Sequence, residues 1–467
     1  MENILKRYFK GDYVIWVIYI LLVMVSILAL YSASSPLIVD GPSDFIKHII
    51  FLIAGFVILI LVYLSPRNYV KFAAWGLLVF AFIMQIVAYI PSISADHRRI
   101  SFFGIFDIQP SEIIKFALIV ITAYFIDRFQ NSDFLQKNFK LFFAIIWLPL
   151  LFIIPSNLST GIIIILPIGL MMMIGSIPWK KIGYFIGIPA LIFFAIFSIA
   201  LIVPAETYEK YNDTRTEMSA TKVAVKVLSV TRAHTWKNRF GAWNAEDRTQ
   251  EEIRQDEQAE RSKCAIYDGR DPKLPGNSFW RNHIPQGYSD FIFSIIVEEY
   301  GIYGAILVIL LFVWLLWRAG VLVKKCETVY SAIVIVGVAT VIVFQAFVHI
   351  SVCTGLFPVT GQTLPLISKG GTSILVMSAF FGLLLRMSCE VEEIMIKSQE
   401  SRAKSQDEET VAERSRSTEN DVAKNKISEE KSDEILENKN EIIEEISDII
   451  IEIPEDEIAE TTEIEIN

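Results

Sequence analysis

The sequence predicts an all-α integral membrane protein: a ten-transmembrane-helix bundle with a long extracytoplasmic loop between helices 7 and 8 and a disordered acidic cytoplasmic tail. Three observations carry this prediction. Long apolar runs recur through the first 386 of the 467 residues. Charge separates sharply along the chain, since residues 387–467 hold 26 acidic and 9 basic residues whereas 1–386 hold 26 acidic and 33 basic. One polar stretch of about 85 residues, 204–288, interrupts the apolar pattern. The net charge of −10 is therefore an average of a basic, apolar body at +7 and an acidic tail at −17. At 53% hydrophobic and 20% charged, the totals depart only modestly from a soluble chain, so the distribution carries the argument. It excludes a soluble globular enzyme, a secreted disulfide scaffold and, for the body, a single-span anchor.

A spanning helix needs about 20 mainly apolar residues. Ten segments qualify: 13–31, 45–64, 71–91, 110–126, 141–156, 160–177, 183–203, 291–317, 329–353 and 372–386. The first has no small-residue cleavage site and reads as a span rather than a removable signal. The fifth and sixth are separated only by Ser156–Ser159, which suits a tight hairpin. Ten spans put both termini on one side. With the N-terminus cytoplasmic, inside segments carry thirteen Lys and Arg against four outside, so the termini are expected in the cytoplasm. The loop 204–288 then lies outside, and its stretch Lys222–Phe240 suits either a surface-lying amphipathic helix or a solvated segment. The tail, 387–467, has too few apolar residues to offset ordering entropy, so disorder is expected, with a possible amphipathic element in Ile442–Ile466 when bound. The body, 1–386, is one domain that contains the loop.

Cys264, Cys326, Cys353 and Cys389 show no CxxC or Cys/His spacing, and the five histidines form no HExxH, so no metal ligands are assigned. The informative residues are the charged ones near spans, because each is costly unless paired or hydrated. Four groups stand out, all on the outer half. The first is Arg98-Arg99, followed by Gln109-Pro110-Ser111-Glu112-Ile113-Ile114-Lys115. Glu112 and Lys115 share a helix face and can neutralise each other, or Lys115 and Arg99 can present positive charge to an anionic group. The second is Ser289-Asp290, where the long loop enters the eighth span. Either residue can cap that helix, and a half-desolvated carboxylate there is also suited to act as a general base. The third is Glu298-Glu299, two turns deeper, which fits a structural ion pair or a catalytic part equally. The fourth runs from Gly355 to Ser373 and includes Pro365, Ser368, Lys369, Gly370 and Gly371. It is too apolar for a solvent loop and too rich in Pro and Gly for a helix, so a re-entrant segment is expected. Gly370-Gly371 before Thr372 can leave backbone N–H groups free for an anion, or can be a plain helix turn.

Together these groups resemble the SEDS (FtsW/RodA) family of membrane peptidoglycan glycosyltransferases. The resemblance covers 13–386 and rests on Gln-Pro-Ser-Glu-x-x-Lys at 109–115, Ser-Asp-Phe-Ile-Phe at 289–293 with Glu298-Glu299, and Pro-Val-Thr-Gly-x-x-Leu-Pro-Leu-Ile-Ser-x-Gly-Gly at 358–371. The stretch Pro275–Asn282 is more similar to the division-type FtsW branch than to the elongation-type one. The family implies polymerisation of lipid II into β-1,4-linked glycan at the outer face of the bacterial cytoplasmic (inner) membrane, at the division septum. It implies Asp290 as catalytic base and a substrate site drawn from Arg99, Gln109, Glu112, Lys115, Ser289, Glu298, Pro365, Ser368, Lys369, Gly370 and Gly371. A divalent cation, Mg or Mn, can assist such a transfer, although no motif demands one. Implied partners are lipid II, a class B penicillin-binding transpeptidase and the membrane; nucleic acid is not expected. Two residues depart from the family pattern: Ile100 stands where Trp is usual, and Lys369 where an aromatic is common. Stacking on a sugar is not expected at those points, and Lys369 brings positive charge instead. Two other functions suit the same chain: a transporter (flippase) of the lipid-linked precursor, or a non-catalytic scaffold that recruits wall synthases. A transporter would set charges near mid-bilayer and show inverted repeats, and neither pattern is evident.

Overall fold

The computed structural model describes residues 11–33, 41–90, 98–102, 106–130, 134–202, 250–272, 275–284 and 287–451. Much of the 204–288 loop, including Lys222–Phe240, and the end of the Ile442–Ile466 stretch lie outside the described residues.

Helices overlap every predicted apolar segment. They are α1 Tyr13–Ala33, α2 Gly41–Leu64, α3 Arg67–Val87, α4 Pro110–Gln130, α5 Phe134–Ser156, α6 Leu158–Ile174 and α7 Trp179–Ile202, then α10 Ile292–Val323, α11 Val329–Cys353 and α12 Gly371–Ile451. Between them, α8 Gln250–Asp268 and the single turn α9 Gly287–Asp290 belong to the long loop. Helices follow from the solvent: in hydrocarbon a backbone must satisfy its own N–H and C=O groups. Among the described residues, seven helices are long and apolar enough to cross a membrane, namely Tyr13–Ala33, Phe45–Leu64, Arg67–Val87, Asn138–Ser156, Ile292–Val323, Val329–Cys353 and Gly371–Gln406. Leu158–Ile174 is apolar but shorter. The chain is thus a helical, multi-pass membrane protein. It is not wholly helical, because Ile100–Phe102 (β1) and Phe106–Ile108 (β2) pair antiparallel with Ser101 opposite Asp107.

Two local features shape the Asp290 end of the helices. Only Asn157 separates α5 from α6, and its side chain accepts the Thr160 N–H as the α6 cap. Further along, α10 is broken at Gly301 (φ 65°, ψ −161°). A Cβ there would lie 3.2 Å from the Gly269 carbonyl oxygen, so the glycine lets the loop pass close against the helix. The core is formed by α11 packed on α10, α6 and α4, with α3 against α4, α1 against α10, and α8 against α10 and α11.

The opposite ends of these helices carry most of the remaining charge. Asp12, just before α1, pairs with Arg318 near the end of α10 at 2.6 Å and accepts its own cap from Val14 N. Arg67 and Lys71 of α3 lie over the Tyr330 ring at the start of α11, and Arg128 at the end of α4 lies over Tyr124.

The chain divides into two compact units, Met1–Glu393 and Ile394–Asn467. The body therefore runs past the expected boundary at 386, since Met387, Ser388, Cys389 and Val391 are buried. In the second unit the described residues, to Ile451, are helical, which corrects the expectation of disorder. Low hydrophobicity rules out a buried core, yet Glu, Lys, Gln and Arg are good helix formers, and a helix polar all round can persist through charge pairs along its length.

Candidate active site

One end of the body gathers three segments around Asp290. That residue ends the α9 turn, and Phe291, with non-helical angles (φ −133°, ψ 24°), separates it from α10. The Ser289 hydroxyl donates to Asp290 Oδ1 at 2.9 Å. Arg98 and Arg99 approach from the strand side, immediately before β1, and Arg98 is fixed by donating from Nε to the Ser156 carbonyl at 2.7 Å. The third segment passes the acid at Gly361, which has φ +66°. A Cβ built there would lie 3.4 Å from Asp290 Oδ2 and 3.7 Å from Arg98 Nη1. The bare glycine thus leaves room between an acid and a base.

Burial pushes the Asp290 carboxyl above the usual aspartate range, and the Ser289 hydrogen bond, Arg99 and Arg98 oppose that rise. The result is a partly accessible carboxylate whose environment favours accepting a proton while two guanidiniums still support its ionised form.

The fourth sequence group packs on this centre. Leu364, Pro365, Leu366, Ile367 and Ser368 are buried, in keeping with a re-entrant segment, and Ser368 Oγ accepts the Leu364 N–H at 2.8 Å. Lys369 donates its N–H to the Tyr288 carbonyl at 3.1 Å, and its ammonium lies 4.5 Å from the Tyr288 ring centroid. This lysine therefore braces the turn that bears Asp290. Gly370 precedes α12 and Gly371 begins it, with a Cβ on Gly371 falling 2.6 Å from the Phe51 ring, so packing demands its small size. Gln109 donates its backbone N–H to Thr372 Oγ1 at 3.2 Å, and its side chain reaches Ser111.

Other expected site residues are held away from solvent. Lys115 has no exposure and donates to Glu112 at 2.8 Å and to Gln345 at 2.5 Å. Glu298, equally buried, accepts the Phe279 and Trp280 N–H groups at 2.8 and 3.1 Å. Glu299 accepts the Gly276 N–H at 3.3 Å and the Ser32 hydroxyl. The two glutamates tie the loop segment 275–284 to α10.

No group of three or more His, Cys, Asp and Glu able to hold a metal occurs among the described residues. Around Asp290 the neighbours are arginines, which repel a cation, so the residues do not fit a divalent ion there. Beyond the residues expected to bind substrate, the centre includes Arg98, Gly361, Gln362, Gln345, His349 and Cys353. A signal existed for the last three, which recur every fourth residue in an otherwise apolar span.

The chain is similar in sequence and in fold to several known proteins. The chain is 25% identical over 357 residues to the probable peptidoglycan glycosyltransferase FtsW of Pseudomonas fluorescens (strain SBW25), covering 74% of this chain and 79% of that one. It is 26% identical to the stage V sporulation protein E of Bacillus subtilis (strain 168), over 81% of this chain and 96% of the relative. Its fold is similar to that of the rod shape determining protein RodA of Thermus thermophilus, with a TM-score of 0.51 at 18% identity, over 82% of this chain and 98% of that one. A chain in a structure of a peptidoglycan synthase complex, described as coordinating polymerization and crosslinking, gives 0.55 at 18% identity with the same coverage. Residues 12–393 match the family model FTSW_RODA_SPOVE, described as cell cycle protein, and the chain belongs to that family.

Proposed function

We propose that the chain is a peptidoglycan glycosyltransferase that polymerises lipid II into β-1,4-linked glycan, with Asp290 as general base. The observation that carries this reading is the carboxylate whose pKa burial raises, set beside Arg98 and Arg99 and facing the bare backbone of Gly361. Names of the similar proteins support the activity.

The chemistry follows from those groups. The acceptor 4-hydroxyl is a poor nucleophile at neutral pH. As its oxygen forms a bond to the donor anomeric carbon, Asp290 takes its proton. The bond from that carbon to the pyrophosphate oxygen breaks, and the electron pair leaves with undecaprenyl pyrophosphate. Arg98, fixed by the Ser156 carbonyl, and Arg99, whose charge also acts on the acid, offset the charge that develops on the leaving group. A direct displacement needs one base, so no second carboxylate is required. Lys115 and Glu298 support the scaffold, since both are enclosed by partners.

The topology fits this reading. We propose ten spans, the seven above together with α4, α6 and α7, and on that count Asp290 and the Asp12–Arg318 end fall on opposite sides of the bilayer. The basic residues clustered at the latter end favour a cytoplasmic location for it and for both termini. Arg98 and Arg99 then face outward with the site, at the outer surface of the cytoplasmic membrane. A septal role and a class B transpeptidase partner are part of the proposal, supported by similarity to FtsW and by the synthase-complex neighbour.

The test is purified full-length chain with lipid II, alone and with a class B transpeptidase, followed by gel separation of glycan strands. Polymer is expected in at least the paired reaction. Lipid II moved across vesicles with no polymer in either reaction would overturn the assignment in favour of transport.

A further inference from the structure

We propose that His349 and Gln362 are positioning residues that clamp the Gly361 turn against the Asp290 carboxylate and so fix the room in which an acceptor hydroxyl meets its base. The inference rests on the assignment of Asp290 as base and adds to it two residues that touch neither substrate nor the acid.

The starting point is α11. Gln345, His349 and Cys353 are spaced by four, which stacks them on one helix face, and all three are buried to within 1% of full coverage. Polar side chains in an apolar helix require partners. Each of these finds one on the segment beside Asp290 or on its backbone. Gln345 Nε2 donates to the Thr363 carbonyl at 2.9 Å. His349 Nδ1 lies 2.7 Å from the Gln362 carbonyl, which can only accept, so that nitrogen carries a proton. The Nε2 on its far side faces Cys353 Sγ at 3.6 Å, and the same sulfur is 3.9 Å from the Asp290 carbonyl oxygen. From the opposite direction, Gln362 Nε2 donates to Asn157 Oδ1 at 3.2 Å and Thr160 Oγ1 at 2.9 Å, at the start of α6.

The turn is therefore gripped from two helices through one residue, Gln362, whose carbonyl is held by α11 and whose side chain is held by α6. Its neighbour Gly361 is the residue lying between Asp290 Oδ2 and Arg98 Nη1. A shift of the turn would move the Gly361 backbone relative to the Asp290 carboxylate and change the room beside the base, and misplacing a catalytic constellation by about 1 Å can cost about a hundredfold in rate. Mere filling of space by the imidazole would not depend on which ring nitrogen donates. The clamp depends on it.

The experiment compares His349→Ala, His349→Asn and His349→Gln in the full chain. The Asn amide nitrogen falls near the Nδ1 position and that of Gln near Nε2, so only Asn restores the donor. Three readouts are taken: kcat and KM for lipid II, thermal unfolding in detergent, and the rate at which a carbodiimide labels Asp290, read by peptide mass spectrometry. We expect His349→Ala and His349→Gln to lose about tenfold or more in kcat with little change in KM, as displacement of the acid from its working geometry implies. The labelling rate of Asp290 should change in the same two variants, and His349→Asn should return both quantities toward wild type. Gln362→Met, which keeps the carbonyl but removes the bonds to α6, should lose kcat likewise and serves if the His349 variants fail to fold. Wild-type kcat and labelling throughout, or losses shared equally by all three His349 variants in step with their unfolding temperatures, would overturn the clamp. Because labelling does not require turnover, donor-dependent labelling in a chain that makes no polymer would retain the clamp and sink the glycosyltransferase reading instead.

Discussion

At Lys115 the chain buries a full positive charge, and the surroundings explain why it can. Its ammonium is enclosed by the Glu112 carboxylate and the Gln345 amide, one turn and one helix away respectively. Breaking one side of a buried pair leaves the other charge uncompensated, at a cost of about 3–5 kcal/mol. Lys115→Met should therefore lower the unfolding temperature markedly, and the Glu112→Gln/Lys115→Met double variant should regain part of it. An unchanged unfolding temperature with weakened lipid II binding would instead make Lys115 a ligand residue. The sequence offered both readings of this pair, because three-residue spacing on a helix start says that two charges meet but not what surrounds them. Asp290 was open in the same way, since a carboxylate at the mouth of a span suits a helix cap as well as a base, and the family resemblance singled it out. Arg98 stood out with Arg99 as charge near a span, but its contact with the carbonyl of Ser156, 58 residues further along the chain, has no sequence signal.

The elements were legible where lipid dictates them and obscure where tertiary contacts do. Apolar length alone marks the helices, because hydrocarbon tolerates little else. The β1–β2 pair, three residues per strand, has no such signal. The polar face of α11 was visible as Gln345, His349 and Cys353, but only the fold reveals that all three address one segment. The Glu298–Glu299 pair could have been structural or catalytic on sequence grounds, and its partners are backbone N–H groups of the 275–284 segment. Glu298→Ala should thus speed hydrogen exchange at the Phe279 and Trp280 amides. Unchanged exchange combined with lost turnover would assign Glu298 to the reaction instead.

At the scale of the whole molecule, the body and the tail are separable units, with the division after Glu393. The family match ends at the same residue. The expected boundary at 386 followed composition, which tracks the change from apolar to charged sequence. Composition missed the tail helix because it weighs burial, whereas helix propensity is local. Deleting residues 400–467 should leave lipid II turnover in detergent close to that of the full chain. A large loss would make the second unit part of the catalytic apparatus.

The central claim is that Asp290 takes the proton, and the pH dependence of polymerisation tests it most directly. A base works only when ionised, so the rate should fall as pH drops through the pKa of Asp290. Since burial raises that pKa, the fall should begin above the ordinary aspartate value of about 3.9. Asp290→Asn should lose about a hundredfold or more and show no such limb, with lipid II binding retained. An Asn variant that keeps the wild-type rate and the wild-type acid limb would contradict the account.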